Sequence, residues 1–119
     1  MNQKNFTQKS QEAIQAAQML SREYGNPQIE QAHLLYALLD QENGLIPQLV
    51  TSMGPDPASL KAAVKAELQR MPKVGGAGRE ADKVYISRDM DRALTRADEI
   101  AGEMKDEFLS VEHLFLGLI

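Results

Sequence analysis

Residues 29–39 read IEQAHLLYALL, and residues 109–119 read LSVEHLFLGLI. Laid over each other they place His33 on His113, a shift of 80 positions. Extended without gaps, the same shift puts residues 6–39 over 86–119. Identities fall at Ala13/Ala93, Ala17/Ala97, Glu23/Glu103, His33/His113, Leu34/Leu114 and Leu38/Leu118. Conservative pairs add Phe6/Ile86, Thr7/Ser87, Ile14/Leu94, Leu20/Ile100, Ile29/Leu109 and Leu39/Ile119. The matches lie on apolar positions at helical spacing and at helix starts, which is the signature of an internal repeat.

Each unit opens on a residue suited to capping a helix. Thr7 and Ser87 carry hydroxyls that accept from the free N–H groups of a first turn. Apolar residues follow at Ala13, Ile14, Ala17, Leu20 and Tyr24, and at Met90, Ala93, Leu94, Ala97, Ile100 and Met104. Gly25-Asn26-Pro27 closes the first helix, because glycine takes the left-handed cap and proline cannot continue. A shorter helix spans about 30–40, and its counterpart starts at Ser110, a better cap than Glu30. Two more helices follow in the first unit: 45–52, then one beginning at Pro57 and stopped by Pro72. The spacing predicts an all-α array of six helices: repeat one over 6–72, a Gly-rich linker over 73–85, and a partial repeat two over 86–119, in one domain of 119 residues. By the shift of 80, the counterparts of 45–71 would lie past Ile119, so the second half is expected to show apolar surface.

Composition narrows the function. Hydrophobic residues make up 43% and charged residues 25%, ordinary for a globular protein, and the net charge is −4. The acid excess lies in 79–112, with ten acids against six bases; residues 1–78 hold seven of each. Lacking a basic stripe, the chain is not expected to bind nucleic acid, and a helix-turn-helix reading has the charge against it. There is no cysteine, so disulfides and thiolate metal sites are excluded. The polar start and the lack of a long apolar run predict a cytoplasmic protein without a membrane segment.

At this point the chain resembles the Clp N-terminal repeat family. Carrying residues are Phe6-Thr7, the run from Ile29 to Leu39, and the run from Ser110 to Leu118. LQRMPKV at 68–74 before the glycines, and DEFLSVEH at 106–113, are similar to the ClpB (Hsp100) branch. The resemblance implies a longer parent chain with two ATPase modules, a hexameric ring, and threading of aggregated protein. ATP and magnesium belong to that parent chain. Gly75, Gly76 and Gly78 are followed by Arg79-Glu80 and form no phosphate loop, so no cofactor is expected here.

The resemblance further implies capture of unfolded or aggregated segments in an apolar groove with a polar rim. It places Thr7, Asp106 and Glu112 among the polar positions and Leu94 nearby as an apolar one. The simplest structural roles are a cap for Thr7, a turn former for Asp106 and a first-turn carboxylate for Glu112. The isolated domain is expected to be monomeric. An adaptor-docking domain of a ClpC- or ClpA-type protease unfoldase is the alternative. A metal enzyme or hydrolase built on the histidine pair is a weaker rival: zinc takes three or four ligands, no cysteine is available, and the histidines recur because the unit recurs. No GxSxG motif or Ser/His/Asp set supports hydrolysis. Met19, Met53, Met71, Met90 and Met104 read as core, with Met90 the best candidate for an adaptable surface.

Overall fold

The computed structural model describes residues 5–73 and 85–119. The glycine run and most of the predicted linker therefore lie outside the described residues. Among the described residues there are six helices: α1 (Gln8–Glu23), α2 (Gln31–Asp40), α3 (Leu45–Met53), α4 (Pro57–Arg70), α5 (Arg88–Glu103) and α6 (Val111–Leu118). None is long and apolar enough to cross a membrane.

The repeat extends to individual hydrogen bonds. Thr7 Oγ1 accepts from Ser10 N at 3.2 Å to start α1, and Ser87 Oγ accepts from Met90 N at 3.0 Å to start α5. Both helices end the same way. Asn26 N donates to Ser21 O at 2.9 Å with Gly25 at φ 68°, and Asp106 N donates to Ala101 O at 2.9 Å with Lys105 at φ 59°. This left-handed closure satisfies carbonyls that a helix end would leave free.

Packing follows from small residues on one stripe of each long helix. Ala13 and Ala17 of α1, and Ala93, Ala97 and Ala101 of α5, are buried. Their size lets α2 and α6 approach closely. A Cβ on Gly117 of α6 would stand 2.5 Å from Ala93 O, so only glycine fits. Between the two helix pairs lies one core, built around Leu34, Leu38, Ile46, Val50, Met90, Leu109 and Leu114. Helix α4 joins it through Val64 and has Leu68 fully buried.

The units are interlocked and not simply consecutive. Strand β1 (Asn5–Phe6) pairs in parallel with β2 (Phe108–Leu109), Phe6 opposite Leu109. Ile29 and Ile86 make the corresponding bridge. The shift of 80 turns the first pairing into the second. It also relates the bond from Thr7 N to Leu109 O to the bond from Ser87 N to Ile29 O, each 3.1 Å. Each unit's entry is thus bonded to the loop between the long and short helices of the other. Sequence reading did not anticipate these pairings, because a two-residue strand carries no alternation to detect.

The methionines require a correction. Met90 is 1% exposed and sits in the core, while Met19, Met53 and Met104 are 65%, 61% and 53% exposed. Met19 falls between the inward positions Ala17 and Ser21 on α1 and so faces away from the buried stripe. Met104 is the C-cap residue of α5, beyond the helix's buried stripe.

Candidate functional site

Three of the four predicted site residues come together. Thr7, Asp106 and Glu112 line one surface cleft of about 280 Å³ with Glu107, Phe108, Ser110 and His113. The interlocking explains this: the β1–β2 pairing brings the start of α1 against the loop that precedes α6. Thr7 caps α1, and its hydroxyl also donates to Ser10 Oγ at 3.0 Å. Ser10, fully buried, passes a bond on to Leu109 O at 3.0 Å. A chain of hydroxyls therefore fixes one wall of the cleft.

Leu94 does not join them. It is 5% exposed, belongs to the core, and is absent from the cleft lining. Its place on α5 beside Met90, Ala93 and Ala97 turns it inward. The apolar element of the cleft is Phe108, which is 49% exposed. In the sequence Phe108 stands out only as part of the DEFLSVEH run at 106–113. The available signal was its partner under the shift of 80: Gln28 occupies the equivalent place, so an aromatic in a polar turn needed an explanation.

The cleft's electrostatics come from three carboxylates and a buried imidazole. Glu112 sits in the first turn of α6, where the helix dipole favours a negative charge. His113 is 3% exposed and both its ring nitrogens are engaged. Nδ1 accepts from Ser110 N at 2.9 Å and lies 3.2 Å from Ser110 Oγ. A backbone N–H only donates, so Nδ1 carries no proton, and the Nε2 proton is given to Asp106 Oδ2 at 2.8 Å. In the first unit His33 does the same work: Nδ1 accepts from Glu30 N, and Nε2 lies 2.8 Å from Asn26 Oδ1. The recurring histidines are thus helix-start braces, where a glutamate or glutamine is more usual. Among the described residues no group of three or more His, Cys, Asp or Glu could hold a metal ion.

The cleft thus sets an exposed aromatic ring within a rim of carboxylates. Comparisons agree with the architecture. The family model for the Clp repeat (R) N-terminal domain matches residues 5–119. The chaperone protein ClpB of Nitratidesulfovibrio vulgaris is 37% identical over 114 residues, covering 96% of this chain and 13% of that protein. The ClpB of Clostridium tetani is 38% identical over 119 residues, covering all of this chain and 14% of that protein. The crystal structure of the Hsp104 N-terminal domain from Candida albicans matches with a TM-score of 0.85 at 23% identity, covering 97% of this chain and 73% of that one. The chain spans about one seventh of the length of the curated relatives it matches. It belongs to the Clp repeat N-terminal domain family, and its sequence similarity runs to ClpB chaperones.

Proposed function

We propose that this domain captures exposed apolar segments of unfolded or aggregated proteins at the cleft of Thr7, Asp106, Phe108 and Glu112. It then passes them to the ATPase ring of a longer ClpB-type chain. The observation that carries the reading is Phe108, half exposed beside three carboxylates in a cleft formed where the two units interlock. An aromatic ring supplies apolar contact area at low entropic cost. Thr7, Asp106 and Glu112 offer acceptors for backbone N–H groups or for cationic side chains of the segment. Leu94, buried in the core, takes part by packing α5 and not by contact.

The physical logic favours weak, sequence-tolerant binding. A shallow cleft with one exposed ring gives modest affinity, which suits cargo that must be released. Several tethered copies on a hexameric ring would raise avidity without further contacts. The acidic rim favours basic segments, and this preference is expected to fade with salt.

The test is an amide NMR titration with reduced and alkylated lysozyme, a basic chain that cannot refold, run beside folded lysozyme. Saturable shifts around Thr7, Asp106, Phe108 and Glu112 with the unfolded chain alone support capture. Phe108→Ala should weaken that binding by about tenfold, the loss expected when a half-buried ring contact is removed. No shifts in a domain shown to be folded would sink capture and turn attention to docking of a folded adaptor.

A further inference from the structure

Two histidines brace equivalent helix starts, but their second bonds differ in what they hold. His33 Nε2 meets Asn26, a neutral amide that is 1% exposed and itself donates to Pro72 O at 3.0 Å. That link is internal: it ties the turn after α1 to the end of α4. His113 Nε2 meets Asp106, a carboxylate whose side chain is 45% exposed and lines the cleft. The brace alone does not require the carboxylate, since a glutamine in the same position of α6 would also accept from Ser110 N.

We propose that His113 is a positioning residue for the cleft, holding Asp106 at Oδ2 so that one carboxylate orientation is presented to a bound segment. This rests on the capture reading above. A half-exposed aspartate on a turn would otherwise move among rotamers and lose that freedom on each binding event. With Nδ1 committed to Ser110 N and Nε2 to Asp106, the imidazole couples the start of α6 to the cleft wall. Glu112 and Ser110 stand on the same start, so the bond also sets the spacing between two of the acidic groups. The first unit supplies the internal control, because an equivalent bond there leads to a buried amide.

The experiment measures binding of reduced and alkylated lysozyme to the domain and its variants. His113→Gln keeps the brace and releases the carboxylate; binding is expected to weaken about fivefold with the helix content unchanged. His33→Gln is expected to leave binding as it is. Asp106→Ala weakens binding by itself, and adding His113→Gln to it should cause no further loss, the result of two groups acting through one bond. With ring-labelled histidine, the His113 Nε2 resonance is expected to shift on binding while that of His33 stays. Wild-type affinity in His113→Gln, or an equal further loss in the Asp106→Ala background, overturns the proposal. If the wild-type domain binds no unfolded lysozyme, capture is what fails. Positioning is then read from the χ1 couplings of Asp106: one rotamer in the wild type and averaging in His113→Gln supports it, and equal averaging in both overturns it.

Discussion

The interlocked repeat gives the molecule two related surface clefts, and of the two only one carries an exposed aromatic ring. The first is lined by Gln28, Glu30, Ser87, Arg88, Asp89 and Arg92, and the second by Thr7, Asp106, Glu107, Phe108, Ser110, Glu112 and His113. Ser87 and Thr7 are equivalent, as are Glu30 and Ser110, and Gln28 and Phe108. The first cleft mixes two arginines with two carboxylates, and Arg92 pairs with Asp89 at 3.6 Å. The second carries three carboxylates around an aromatic ring. The caps, the left-handed closures and the strand pairings are shared, so the scaffold does not distinguish the two clefts. A few side chains at equivalent places do: glutamine against phenylalanine at the turn, and a buried amide against a half-exposed carboxylate before it.

The largest expected difference between the units lies in helix packing. Gly117 corresponds to Ala37, which is buried in the same core as Ala13 and Ala17 and there carries its methyl. In the second unit the same methyl would meet the carbonyl of Ala93 at 2.5 Å. Gly117→Ala should therefore cost about 3 kcal/mol through overpacking, despite alanine's better helix propensity. Ala37→Gly should cost about 1 kcal/mol, from propensity and a small void. Urea denaturation of both variants checks the pair. Equal losses would mean that the two helix pairs are equally close.

Next in size is the turn bond. Asn26→Ala removes the acceptor of a fully buried His33 and the donor to Pro72 O, and should cost about 2 kcal/mol. Asp106→Ala opens a bond at a half-exposed position where water can take over, and should cost less than about 1 kcal/mol. On the capture reading proposed above, its larger effect is expected on binding. Thermal melts of the two variants, set beside their affinity for an unfolded chain, would invert the order of the two residues. If Asp106→Ala proved the more destabilising, the carboxylate would have to be counted as a structural part of the turn.

What the sequence made legible follows from range. Helix boundaries came from local chemistry: Thr7 and Ser87 as caps, Pro57 at a helix start, Gly25 and Pro72 at helix ends, all effects of a few neighbouring residues. The repeat was readable because identical packing duties keep similar residues at Ala13/Ala93 and Leu34/Leu114. The crossed pairings of Phe6 with Leu109 and of Ile29 with Ile86 were not readable. They depend on how distant segments meet, and each involves only one or two residues. The cleft was partly legible for the same reason. Thr7, Asp106 and Glu112 followed from resemblance, while Phe108 joined them only when the fold set it in the same cleft. Leu94 failed as a surface candidate because one helical position separates a lining residue from a core one.

The smallest difference is the most local one. Gly25 and Lys105 hold the same left-handed conformation at the ends of α1 and α5, with φ values of 68° and 59°. A lysine in that region is strained by about 1–2 kcal/mol relative to glycine. Replacing it also frees the unfolded chain, which returns about 0.4–1 kcal/mol to the unfolded side. Lys105→Gly should therefore stabilise the domain by only about 0.5 kcal/mol, with the closing bond from Asp106 N to Ala101 O kept. Gly25→Ala should destabilise by about 1 kcal/mol, since the strain is then introduced where none existed. Paired denaturant midpoints measure both. Lys105 is not part of the cleft lining, so the capture affinity should stay within a factor of about two. A loss of stability in Lys105→Gly would show that the lysine side chain earns its strained backbone through a contact of its own, and the two helix ends would then be alike in geometry but not in cause.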